Sequence, residues 1–300
     1  MYGQQKIYQH RAQPHIPLEA RCAVFGNWNV AYSVYGSLNA NMTFVLLPDV
    51  AQLRSCWEKQ VRPLSEAGYQ VITIDLPYQG ETVPCRYDLA VAEPEDIFAD
   101  FLAVVIDTEK LQNVILVAWG AAGICVTHYT AKYSTSHLAG IVLMSALLTP
   151  DPALFTHEIW TLLLKVLTTP DEGKAREGEA VVSQFVSLLT LRPAPLKEHL
   201  EVFSYTAANL LGCHHLSLAL FSSNTPNLHA LQQAWKSIPL LWVAGEEDQL
   251  VPKTYTHKLV ANFPHAVLYE FTQCAHSAHR EYPNEVNKQL VDFARCLCFQ

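Results

Sequence analysis

Three segments carry residue types and spacings that bear on chemistry. The first is Val114-Ile-Leu-Val-Ala-Trp-Gly-Ala-Ala-Gly123, an apolar strand, a turn of small residues and the start of a helix. Such a turn can hold a side chain out for attack on a carbonyl. It does so in a strained backbone, at about 1–3 kcal/mol for a non-glycine residue. Gly120 avoids that strain because glycine tolerates positive φ, but it offers no oxygen, sulfur or carboxylate. The second is Pro239-Leu-Leu-Trp-Val-Ala-Gly-Glu-Glu-Asp248-Gln-Leu-Val-Pro252, a buried strand and a turn bearing three acids. An Asp there also serves as a helix cap, and Glu246 and Glu247 compete with Asp248 for any catalytic part. The third is Cys274-Ala-His276-Ser-Ala-His-Arg-Glu281-Tyr-Pro283. An acid paired with a histidine can polarise a water or abstract a proton. His279, and His214 and His215 further upstream, are alternatives to His276. No histidine pair has metal-ligand spacing with a nearby Glu, so the expectation is no metal and no cofactor.

These segments need elements to position them. Cys22 to Phe25 and Asn29 to Tyr35 read as strands around a Gly26-Asn27 turn. Short apolar runs at 43–47, 71–74, 114–118 and 140–144 read as buried parallel strands. Helical patterns separate them, at about 52–67, 94–109 and 121–133. From Leu148-Thr-Pro-Asp-Pro to about Lys236 only helical patterns occur, at 154–167, 181–191 and 209–221, with 168–179 expected as an exposed connection. Alternation then resumes with strands at 239–244 and 267–271 and helices at 253–262 and 284–296. The expected fold class is α/β, a mostly parallel doubly wound sheet with a helical cap insert. The expected division is a core of 18–148 and 237–300, with 149–236 as the cap or lid.

The strand–turn–helix at 114–123 resembles the nucleophile elbow of the α/β-hydrolase superfamily, Gly-x-Ser-x-Gly. In that register Ala118 and Ala122 replace the flanking glycines, Trp119 takes the variable place, and Gly120 falls on the nucleophile position, inactive. The resemblance implies that Asp248 stands in the acid's place. It implies the same for His276 in the base's place, with Glu281 and Pro283 matching the residues that follow it. Together they are a vestigial dyad. After the strand 43–47 the superfamily usually has His-Gly, where this chain has Pro48-Asp-Val-Ala51. The N–H groups of Val50 and Ala121 take the oxyanion positions. An inward Asp49 carboxylate would oppose an oxyanion, so Asp49 is expected to face solvent or cap the following helix. The loop Asp75-Leu-Pro-Tyr-Gln-Gly80 matches a loop that is structural in the superfamily. The elbow also resembles that of the N-myc downstream-regulated family, which is regarded as non-enzymatic and has Asp-Val in its oxyanion segment.

The resemblance without its nucleophile implies a degenerate hydrolase fold that binds a protein partner or a small apolar ligand. The insert residues Ile159, Trp160, Leu163, Phe185 and Leu189, with Trp119, could roof a pocket. The competing expectation is a hydrolase or lyase for a small apolar ester or carbonyl compound, with His276 and Asp248 as general base. No substitute nucleophile is evident near the turn: Cys125, five residues into the helix, is expected to pack inward, and Ser145 ends a neighbouring strand. The net charge of −8 and the absence of a basic stripe argue against nucleic acid. No apolar run is long enough to span a bilayer. The polar start, Met1 to Pro17, and eight cysteines without framework spacing indicate reduced thiols and a cytoplasmic location.

Overall fold

The computed structural model describes residues 18–85, 96–149, 161–162, 165, 175–222 and 227–298. Nine strands make one sheet: β1 (Glu19–Phe25), β2 (Trp28–Tyr35), β3 (Thr43–Leu47), β4 (Gln70–Ile74), β5 (Val83–Pro84), β6 (Val114–Trp119), β7 (Leu138–Met144), β8 (Leu240–Gly245) and β9 (Val267–Phe271). The order is β1-β2-β4-β3-β6-β7-β8-β9, with β5 on β2. β1, β4 and β5 run antiparallel to β2, and every pair from β4 to β9 is parallel. This is the α/β-hydrolase fold expected from the sequence.

Burial explains why the middle strands read as unbroken apolar runs. Every residue of β3, β4, β6 and β8 is buried, because helices cover both faces of a parallel sheet. Each Val, Leu or Ile there contributes about 1.5–3 kcal/mol by leaving water. The helices among the described residues are α1 (Glu58–Glu66), α2 (Ile97–Thr108), α3 (Ala122–Lys132), α4 (Ala175–Leu189), α5 (Leu196–Ser222), α6 (Leu228–Trp235), α7 (Lys253–Val260), α8 (Ala278–Glu281) and α9 (Pro283–Leu297). Local chemistry sets several of their starts. Asp96 caps α2 by accepting from the Ala99 N–H, and Asn227 caps α6 by accepting from Ala230. Pro283 opens α9, where its missing N–H costs nothing.

Some boundaries differ from the sequence expectation for identifiable reasons. The helix expected over 52–67 is a short 3₁₀ turn, Arg54–Trp57, followed by α1. The chain ahead of it is occupied by a turn in which the Gln52 N–H donates to the Asp49 carbonyl and Ala51 sits at φ +61°. The exposed connection expected over 168–179 is helical from Ala175 onward. Glu179 and Ala180 of α4 are exposed, and the buried stripe begins at Val181 and Val182. α5 begins at Leu196, well before the expected 209, behind Pro195. β5 gave no periodic signal because it is two residues long. Pro94, most of the helix expected at 154–167, Ile159, Trp160 and Leu163 lie outside the described residues.

Candidate functional site

The site lies where open α/β sheets place their sites, at the carboxyl ends of the strands. Asp49 follows β3, Gly120 follows β6, Asp248 follows β8 and His276 follows β9. At the end of β6 the chain must turn sharply into α3. Gly120 does this at φ +59°. Its N–H donates to the Met144 carbonyl at 3.1 Å and its own carbonyl accepts from Leu147 at 2.9 Å. A Cβ built on Gly120 would fall on the Asp49 carboxylate, against Cγ and both oxygens.

Asp49 therefore faces inward, which corrects the expectation that it turns to solvent or caps the next helix. It is 4% exposed. Its Oδ1 accepts from the Val50 N–H and the Ala121 N–H, both at 2.7 Å. Its Oδ2 lies 2.9 Å from His276 Nε2. The physical reason is room and donors together. Gly120 vacates the space, and two backbone N–H groups and His276 Nε2 would be left without partners if the carboxylate left. The 2.7 Å contacts are in the range of charge-assisted hydrogen bonds.

On its other side, His276 Nδ1 lies 2.9 Å from Asp248 Oδ2. Asp248 Oδ1 accepts from the Leu250 and Val251 N–H groups at 2.9 Å each, so the acid also holds its own loop. Glu246 instead pairs with Lys253 at 2.8 Å, and Glu247 is exposed. His276 is thus clamped between two carboxylates. Burial alone would pull its pKa down, but the charges of Asp248 and Asp49 and their hydrogen bonds outweigh it and push it up to about 10. At neutral pH the ring is an imidazolium that donates from both nitrogens. Such a ring has no lone pair with which to take a proton from water or substrate.

The surrounding side chains fix this arrangement. Trp119 is fully buried, and its Nε1–H donates to the His276 carbonyl at 2.9 Å. It stands beside the His276 ring at 5.5 Å and is part of the wall behind the dyad. His279 does not reach an acid. It lies 4.5 Å from the rings of both Trp57 and Trp119, and burial, then Arg280, His276 and Lys59, push its pKa well below the ordinary range. Glu281 is a loop clamp: Oε1 accepts from Ala275 at 2.8 Å, and Oε2 accepts from Leu191 and Arg192 at 2.9 and 3.0 Å. Asp75 is likewise structural, accepting from the Arg54 and Glu81 N–H groups and pairing with the Arg54 guanidinium. Cys125 is buried, which raises its thiol pKa and leaves it inert. Ser145, at φ +43°, is buried as well. The side chains of His214, His215 and Trp160 lie outside the described residues. Among those described, no group of three or more His, Cys, Asp or Glu could hold a metal ion, and no helix is long and apolar enough to cross a membrane.

One link carried no sequence signal. Gln52 Nε2 donates to Thr206 Oγ1 of α5 at 3.0 Å, and the Gly80 N–H donates to Asn209 Oδ1 at 2.9 Å. These bonds tie the Asp49 loop and its neighbour to α5 across more than a hundred residues of chain.

Comparison with known proteins agrees with the fold. A family model described as the alpha/beta hydrolase fold matches residues 47–283. A pimeloyl-[acyl-carrier protein] methyl ester esterase of Vibrio atlanticus is 23% identical over 255 residues, covering 80% of this chain and 89% of that protein. A 2-hydroxy-6-oxononadienedioate/2-hydroxy-6-oxononatrienedioate hydrolase of Burkholderia vietnamiensis is 26% identical, covering 80% of this chain and 81% of its own. Among solved structures, that of a putative aryl esterase from Burkholderia cenocepacia superposes with a TM-score of 0.81 at 20% identity. It covers 94% of this chain and 100% of the other. The relatives are named as esterases and hydrolases, so the scaffold is hydrolase-like.

Proposed function

Because the chain belongs to the alpha/beta hydrolase fold family, whose chemistry depends on a nucleophile, a base and an oxyanion hole acting as a unit, we propose that it is a catalytically degenerate member. It acts as a non-enzymatic ligand- or protein-binding module. One observation carries this reading: the Asp49 carboxylate fills the space between the Val50 and Ala121 N–H groups and His276 Nε2. That is the space in which an acyl intermediate would have to form. An oxyanion hole stabilises negative charge that develops in the transition state. Here the negative charge is already present in the resting protein, and a second one would be repelled. Gly120 supplies no attacking atom, and the imidazolium of His276 supplies no base.

Residues 149–236 are assigned as a cap on a core of 18–148 and 237–300. The buried Phe185 and Leu189 on α4 and Val202 on α5 support a packed cap. A reducing, cytoplasmic compartment is supported by seven free cysteines among the described residues.

The test is turnover of short-chain p-nitrophenyl esters by the wild type and by His276→Ala. Equal background rates are expected. Wild-type turnover that His276→Ala abolishes would overturn the reading. A second comparison probes the cause. Gly120→Ser alone should stay unlabelled by a fluorophosphonate probe, because its Cβ collides with the Asp49 carboxylate and leaves no room for a reactive hydroxyl beside it. Labelling of Gly120→Ser in the presence of intact Asp49 would contradict that explanation.

A further inference from the structure

β9 is the last strand of the sheet and pairs with β8 alone. Its outer edge is open. The Phe271 carbonyl accepts from the Glu246 N–H at 2.9 Å, on the side of β8. Backbone groups alternate sides along a strand, so Val267, Tyr269 and Phe271 turn theirs toward β8, and Leu268 and Glu270 turn theirs outward. Among the described residues, no hydrogen bond from outside the sheet reaches those outward groups. The opposite edge, β1, carries Glu19 and Arg21, charged side chains of the kind that discourage a further strand. β9 carries one charge, Glu270, and His257 Nε2 of α7 lies 2.8 Å from its carboxylate. Val267 is 58% exposed, and the Tyr269 ring stands 4.8 Å from that of Phe271.

We propose that β9 is a dimerisation edge, pairing antiparallel with β9 of a second copy of this chain about a two-fold axis at Tyr269. The occupant follows from self-complementarity. With the axis there, Leu268 faces the partner's Glu270 and exchanges both backbone bonds with it, and Glu270 does the same with the partner's Leu268. Every outward group of the edge is used. Val267 then lies across from the partner's Phe271, and Tyr269 across from the partner's Tyr269. These are the β-branched and aromatic pairs that stabilise neighbouring strands. The adjacent registers are worse. An axis at Glu270 sets like charges directly opposite. An axis at Leu268 calls on the Ala266 N–H, which already donates to the Phe263 carbonyl at 2.9 Å. The edge uses none of the residues that close the site, so the inference stands apart from the reading of that site.

The experiment is sedimentation equilibrium of the wild type from micromolar to millimolar concentration, with amide hydrogen exchange read at Leu268 and Glu270. The mass should rise with concentration toward twice 33.6 kDa, and exchange at these two amides should slow as it rises. Glu270→Pro removes an outward N–H and no bond to β8. Proline is tolerated at such edge positions, so this variant should fold and stay monomeric. A wild type that stays monomeric throughout overturns the proposal, as does Glu270→Pro dimerising like the wild type. If Glu270→Pro is not recovered folded, Tyr269→Cys decides. Facing Cα atoms at a non-hydrogen-bonded pair lie about 4.5 Å apart, inside the disulfide range of about 4.4–6.8 Å. The two copies of Val267→Cys would lie about 14 Å apart. Diamide should therefore join Tyr269→Cys chains through position 269, read by mass spectrometry of the linked peptides, and should not join Val267→Cys chains through position 267. No link at 269, or equal linkage at both positions, overturns the proposal.

Discussion

Replacing Asp49 by Asn tests the electrostatics of the site directly. The change keeps the shape and leaves one oxygen for the Val50 and Ala121 N–H groups, but it removes the charge that faces His276 Nε2. Two losses add at pH 7. The ionic hydrogen bond between Asp49 and His276 contributes about 1.5–3 kcal/mol, and the two N–H bonds weaken when their acceptor becomes neutral. The expected destabilisation is therefore about 2–4 kcal/mol. The sign with pH follows from His276. Its folded pKa of about 10 lies above its ordinary value of 6.5. The stability it contributes is thus complete below about pH 6.5 and is lost as pH rises through about 10. Asp49→Asn lowers the folded pKa, so the gap between variant and wild type should be widest near neutrality and narrow toward pH 10. Urea unfolding of both proteins at pH 7 and pH 10 measures it. A variant more stable than wild type at pH 7, or a gap equal at both pH values, would refute the claim that Asp49 and an imidazolium hold each other in place.

Three further outcomes follow from the same geometry. Gly120→Ala should lose at least about 1–3 kcal/mol to positive-φ strain alone. More should be lost from its Cβ displacing Asp49, seen as a lowered melting midpoint together with a lowered His276 pKa by NMR. Trp119→Phe removes the indole bond to the His276 carbonyl while keeping most of the ring packing, and should cost about 0.5–1.5 kcal/mol. An unchanged unfolding midpoint would show that bond to be idle. Glu281→Gln keeps one strong acceptor of two, so the Leu191–Arg192 or the Ala275 amide loses its carboxylate partner. Faster hydrogen exchange at one of these sites, with a stability loss of about 1–2 kcal/mol, is expected.

The fold was legible because buried parallel strands write themselves as apolar runs. The runs at 43–47, 71–74 and 114–118 all landed within a residue or so of β3, β4 and β6. Asp248 and His276 were legible through local signals, a turn acid before Val-Pro and a histidine followed by Glu and Pro, and they meet at 2.9 Å. Asp49 was not legible. Its direction depends on a vacancy created at Gly120, in another loop, and no local pattern reports a vacancy. The available signal was the pair of departures taken together: an acid where one loop usually has glycine, and a glycine where the other usually has a side chain. His279 shows the opposite limit. Two residues of spacing from His276 made it a rival, while packing between two tryptophans decides that it takes no part.

The exchange between the two loops has an evolutionary consequence. With Asp49 in place, any side chain at position 120 meets its carboxylate. With Gly120 in place, removing Asp49 strands two backbone amides and His276 Nε2. Each substitution is now the background against which reversal of the other is harmful, as expected of residues that share a contact. Changing either residue alone is therefore expected to give a less stable protein. The pair works as a ratchet, held in place by stability that neither residue supplies alone.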